Sequence, residues 1–276
     1  MKGIRWSLFL DAVGIHGTGQ TLRTTFAGHA LNNVLVANGG DAARVVFVAR
    51  KTGTTSARIL ASLALERLFD AVGFVVLLAG FAALLPLPPA LARWRIPAWF
   101  ALAGLFVFLA WLATRRPQAA AAAAIEADLP AGFLPRARRY LQRFTASVAE
   151  QSNVPRFVGA MALSLGAWAL QLATFDLTAR AAHLPIPLGG SAAALLAVNA
   201  GLLLRATPGN VGVFQAMYAV AAVQFGMTRD AAIGVSLLIQ AIQILPVTLL
   251  GIALAPEFLL KRKTALRATD RESLPN

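Results

Sequence analysis

Cysteine is absent from the 276 residues. That excludes disulfides, thiol nucleophiles and cysteine-ligated zinc, and leaves the redox compartment unspecified. The three histidines, His16, His29 and His183, are far apart and lack HExxH-like spacing, so no metal site is expected. No Walker-type GxxxxGK[ST], no Ser–His–Asp set and no carboxylate pair flanking a soluble groove is found, so neither an enzyme activity nor a cofactor is expected. Charge itself is scarce, at 13% of residues against 58% hydrophobic, with a mean hydropathy of +0.66. A soluble domain of this length does not carry so few charges. The fold class that follows is all-α, a polytopic helical membrane protein. The formal charge of +13 is not read as a nucleic-acid surface, because the cations lie between apolar segments rather than along one face.

What is present is a series of apolar runs. Residues 59–85, 97–114 and 231–255 read as membrane-spanning helices, and 157–179 as a fourth that contains Gln171 and Asp176. Residues 26–37 are apolar but broken, as is the pair 191–204 and 213–226. The opening MKGIRWSLFLDAVG is basic, but Asp11 interrupts its short apolar stretch, so it is not read as a signal peptide. Between Thr114 and Phe157 runs a polar connection in which Tyr140, Leu141, Phe144 and Val148 share one helical face, with Arg136, Arg139 and Arg143 towards the other. That pattern fits a helix in the interface of an anionic leaflet, and equally a solvated connector.

Arg44, Arg50, Lys51 and Arg58 precede the first full span, the 115–156 connection is Arg-rich, and Lys261, Arg262, Lys263 and Arg267 follow the last span. The positive-inside rule puts all three regions, and the C-terminus, in the cytoplasm. The chain from Gly190 to Arg229 must then leave the outer face and return to it. Two short arms joined by RATPGNVG are expected to do so as a re-entrant hairpin, which protein or a water-filled cavity must support. The order of Asn, glycine loop, apolar arm, second glycine and long span occurs twice, from Asn32 and from Asn199. Gly40 falls opposite Gly212, Gly53 opposite Gly226, and Glu66 opposite Gln240. Three crossings separate the copies, so they are expected to be inverted, the sequence pointer to a transporter site near the midplane. The expected organisation is one membrane domain, 1–276. Its parts are a first repeat 20–85, a cytoplasmic amphipathic connection 115–156, a second repeat 190–256 and a basic tail 257–276.

Polar residues at membrane depth are costly and mark pathways or paired networks. One set is Asn32, Asn33, Gly39, Gly40, Asp41 and Arg44, where a helix starting at Asp41 would favour an anion and Arg44 could hold a phosphate. A second is Glu66, Arg67 and Asp70: two acids and one base, net negative unless one carboxyl is protonated or Arg44 comes near. A structural ion pair fits it as well. A third is Asn199, Arg205, Pro208, Gly209, Asn210, Gly212 and Gln215, a helix break beside a cation that suits a lipid phosphate arriving from the outer face. The plainer reading is that Arg205 snorkels to outer headgroups. A fourth is Gln240 and Gln243 with Pro246.

RW at Arg5–Trp6, NNVLVANGGDAAR at 32–44, ERLFD at 66–70 and TPGNVGVFQA at 207–216, followed by FGMTRDAA, occur in order along nearly the whole chain. Together they resemble the lysylphosphatidylglycerol synthase transmembrane region, or flippase-like, family. The resemblance implies an inner-membrane protein of lipid translocation, in bacterial or archaeal-type cells. Its best-understood members join this region to a cytoplasmic aminoacyl-transferase domain, and stand-alone relatives are associated with glycolipid, polyprenyl-lipid or hopanoid pathways. The chain ends soon after the KRK tail, so aminoacylation is not expected to carry over. Two departures stand out. Val36 and Asn38 occupy positions where the family often has a proline and a basic residue, and a full span usually precedes the RW element. The expected function is translocation of an anionic phospholipid, glycolipid or polyprenyl-linked lipid, whose headgroup or phosphate is the partner. The alternatives are a non-transporting membrane partner of a glycosyltransferase or lipid-synthesis enzyme and, more weakly, a lipid-modifying enzyme.

Overall fold

The long apolar runs become helices close to where their composition places them. The computed structural model describes residues 1–34, 39–84, 95–114, 133–204 and 207–254. Among them are ten α-helices and no strand. These are α1 (Lys2–Asp11), α2 (Thr18–Val34), α3 (Gly39–Thr52), α4 (Ser56–Leu84), α5 (Arg95–Thr114), α6 (Phe133–Gln151), α7 (Val154–Ala181), α8 (Leu188–Gly201), α9 (Val213–Ala222) and α10 (Arg229–Leu254). Short 3₁₀ turns, Leu202–Leu204, Pro208–Asn210 and Val223–Phe225, flank α9. Val36, Asn38, Arg205, residues 115–132 of the connection and the tail 257–276 lie outside the described residues.

Helices α7 and α10 are each long and apolar enough to cross a membrane. The 29 residues of α4 reach about 43 Å at 1.5 Å per residue. Polarity is arranged inside out. Leu170 and Leu177 of α7, Leu245 and Leu249 of α10, and Phe100 and Val107 of α5 are exposed, whereas Arg5, Arg44 and Glu66 are 1% exposed. An apolar exterior around buried ions suits hydrocarbon, not water.

Two elements differ from the reading of the sequence. The opening residues form α1, a ten-residue helix whose Trp6, Phe9 and Leu10 are fully buried. Phe9 packs on Phe69 of α4 and Phe157 of α7, with ring centroids 5.8 and 6.4 Å apart. Too short to span a bilayer, α1 nonetheless sits at the centre of the packing. Helix α2 begins at Thr18, not at residue 26, and its first half is polar. Thr21, Thr24 and Thr25 are buried, and their hydroxyls donate to the carbonyls of Gly17, Gln20 and Thr21 one turn back. Hydroxyls satisfied by their own helix can be buried without other partners.

The order of helix, short helix and long helix occurs twice, as α2–α3–α4 and as α8–α9–α10, and the two stretches interlock. Helix α2 lies along α10, and α8 packs against α4. Small residues bring the backbones together. A Cβ on Gly40 would collide with the carbonyl of Gly28, and one on Gly251 would come within 2.6 Å of the Phe26 carbonyl. Between α8 and α9 the chain turns through Gly209 (φ 61°) and Gly212 (φ 90°), where the backbone favours glycine.

These approaches predict that Gly40→Ala destabilises the protein by about 1–3 kcal/mol or more through overpacking. Gly80→Ala and Gly104→Ala, with nothing within 4 Å of the added methyl, should stay within about 0.5 kcal/mol of the parent. Thermal unfolding in detergent measures both.

Candidate functional site

The deepest charged group is the carboxylate of Glu66, near the middle of α4 and held between two arginines. Arg44 of α3 donates from Nη2 to Oε2 at 2.9 Å, and Arg5 of α1 brings its Nη2 to 3.9 Å from Oε1. The Arg44 guanidinium also stacks 4.0 Å from the centre of the Trp6 ring, a cation–π contact strengthened by the absence of water. Its aliphatic stem runs against Gly28 of α2. Arg5 reaches on to Asp70 Oδ1 at 2.7 Å and to Ser164 Oγ of α7 at 2.5 Å. Arg5 Nε and the Arg44 Nε and Nη1 have no hydrogen-bond partner among the described residues.

A second layer is more open. Arg67 pairs with Asp41 and lies 3.7 Å from Asp70, and its side chain is 40% exposed. Lys2, 47% exposed, stands 3.6 Å from Asp70. Asp41 is held from three sides, by Arg67, by Arg44 at 3.6 Å and by the Asn32 amide at 3.1 Å. Four cations thus meet three carboxylates. The exception attached to a net negative cluster is met, since Arg44 does come to Glu66. Arg5 and Lys2, brought in by α1, add two further cations beside Asp70.

Two further expectations change. The N-terminus of α3 is not open to an anion. The Gly40 amide donates to Asn32 Oδ1 at 2.8 Å, and Asp41 already supplies a negative charge to the first turn. Gly40 itself serves the close approach of α3 to α2. Arg44 is not presented to a headgroup either; it is buried, paired and stacked. Asp41 with Arg44, and Arg67 with Asp70, each three residues apart, are within ion-pair distance.

The second polar set gathers around the turn before α9. The Gln215 carbonyl accepts from the Gly212 amide at 2.6 Å, and its amide donates to Gln240 Oε1 of α10 at 2.5 Å. Gln240 in turn donates to the Gly209 carbonyl at 2.8 Å. Both glutamines are buried, so this chain satisfies the backbone of a non-helical turn from inside the protein. Gly209 follows Pro208, which opens the 3₁₀ turn. Asn199 is not a member; its amide bonds back to the Leu195 carbonyl in its own helix. Glu66 and Gln240 occupy similar roles, each the polar position in a long helix that binds the short helix before it.

The end of α2 joins the sets. Asn32 faces Asp41, while Asn33 donates to Thr248 Oγ1 of α10 at 2.9 Å. A Cβ on Gly209 would stand 3.5 Å from the Asn33 carbonyl. Sequence reasoning missed Arg5, Lys2 and Ser164 as members of the network. For Arg5 the signal was the RW pair, which the resemblance marked without assigning it a partner. The arrangement offers guanidinium and ammonium groups to a phosphate or carboxylate.

The family model described as lysylphosphatidylglycerol synthase TM region matches residues 1–251. No curated protein and no solved structure gives a significant match.

Removing one member of the buried pair should be costly. Arg44→Met leaves Glu66 short of its closest cation and is expected to destabilise the protein by about 3–5 kcal/mol. The double variant Arg44→Met, Glu66→Leu should recover a share of that loss. A double-mutant cycle of detergent-solubilised unfolding gives the coupling.

Proposed function

Since the chain belongs to the lysylphosphatidylglycerol synthase transmembrane-region family, and so to membrane proteins of lipid metabolism, we propose that it moves an anionic, phosphate-bearing lipid between leaflets. In this reading α2–α3–α4 and α8–α9–α10 are inverted copies. The α8–α9 pair is a re-entrant hairpin entering from the outer face, and α2–α3 is its counterpart from the cytoplasmic side. The protein resides in the inner membrane with its C-terminus in the cytoplasm.

The observation that carries the proposal is a cluster of four cations on three carboxylates, with two of the cations left partly open. Arg67 and Lys2 are the exposed members. They are the groups a headgroup phosphate would meet, exchanging with Asp41 and Asp70 for the same donors. Arg5 and Arg44 act behind them, through Glu66 and Asp70, as positioning residues. On the other side Gln215 and Gln240 hold the Pro208–Asn210 turn in shape, and Arg205, three positions before Pro208 in the sequence, is the cation of the second half-site.

Vesicles containing the purified protein should exchange a fluorescent anionic or polyprenyl-phosphate lipid between leaflets faster than empty vesicles. Losing one charge-assisted contact to the phosphate, about 1.5–3 kcal/mol, predicts that Arg67→Gln slows exchange roughly 10-fold or more. Arg205→Ala is expected to slow it as well. Equal rates in empty and protein-loaded vesicles across such lipids would overturn the proposal. A stable complex with a lipid-synthesis enzyme, with Arg67 and Arg205 both dispensable, would favour a recruiting role instead.

A further inference from the structure

Helix α6 belongs to neither polar set, yet its sequence is the most one-sided in the chain. Between Phe133 and Gln151 it carries Arg136, Arg138, Arg139 and Arg143 against a single acid, Glu150. One face is fixed to the protein. Ala146, Ser147 and Gln151 are buried, and the Gln151 amide donates to the Arg58 carbonyl at the start of α4, 3.1 Å away. The Glu150 carboxylate pairs with Arg58 at 3.0 Å. Another part is open: Leu141 is 61% exposed, and Tyr140 and Arg138 are exposed too.

The neighbouring elements fix what lies beside this face. Only Ser152 and Asn153 separate α6 from α7, whose Val154 and Val158 are already exposed apolar residues at the start of a membrane-length helix. At the same end α3 finishes in exposed Arg50 and Lys51, and α4 begins three residues after Thr52. A basic rim therefore surrounds the end of the molecule where two long helices emerge. We propose that α6 is a docking surface for the anionic headgroup layer of the bilayer, with Leu141 and Tyr140 entering the interface and Arg138 and Arg139 binding lipid phosphates. The physics is that of an interfacial helix, in which apolar area and basic charge add. Through Glu150 and Gln151 the docked helix holds the first turn of α4, the helix that carries Glu66, Arg67 and Asp70. The inference does not depend on lipid translocation.

The absence of cysteine makes the test direct. Leu141→Cys introduces one thiol for a nitroxide label, and the full chain is reconstituted in phosphatidylcholine or in an equal mixture with phosphatidylglycerol. In the mixture the label should become more accessible to oxygen and less to a water-soluble nickel chelate than in phosphatidylcholine alone. A label at Ser147→Cys, against α4, should not respond to lipid composition. Arg138→Gln with Arg139→Gln should lower the docked population roughly 30-fold, at the typical contribution of a cation near an anionic surface. Added salt should weaken docking of the native arginines too, which tests the idea even if the Gln variant fails to fold. Equal accessibility in both lipid compositions, insensitivity to salt, or spin–spin broadening from a second copy of the chain would each overturn the proposal.

Discussion

Glu66 is a carboxylate buried inside an apolar exterior, and the central packing is arranged around its partners. An isolated ion there would cost several kcal/mol. Two guanidiniums, from α1 and α3, supply the compensation. Each arginine then needs support of its own. Arg44 lies on the Trp6 face with its stem against Gly28, and Arg5 reaches Ser164 and Asp70. The glycines, the buried tryptophan and the short α1 helix therefore follow from one electrostatic demand. Replacing any of them changes the surroundings of an ion that has no water to fall back on.

The second set solves a different problem with neutral groups. A turn through Pro208 and Gly209 breaks the helical ladder and leaves backbone groups to be satisfied. The two glutamines supply a carbonyl for the Gly212 amide and an amide for the Gly209 carbonyl. An amide both donates and accepts, so the pair can link to each other while serving the backbone at either end.

The long helices were legible because hydrocarbon thickness sets a minimum apolar length, and α7 and α10 meet it in one run each. The charged positions were legible for the converse reason, since Glu66, Arg67 and Asp70 interrupt such a run. Helix α1 was not legible. Ten residues ending in an acid look like a poor span, and their value lies in contacts with residues 56 to 159 positions away. The first half of α2 was missed because its threonines look polar to any composition window, whereas their hydroxyls are spent within the helix. The approach of Arg44 to Glu66 was foreseen as a condition, whereas Arg5 and Lys2 were hidden by their distance along the chain, as α1 itself was.

Asn32 and Asn33 are consecutive, so their side chains leave α2 about 100° apart. One grips Asp41 in the charged half and the other Thr248 of α10. This divides the end of a single helix between two independent latches. Turning α2 about its axis strains both at once, whereas sliding α10 along it releases only the Thr248 latch and leaves Asp41 held.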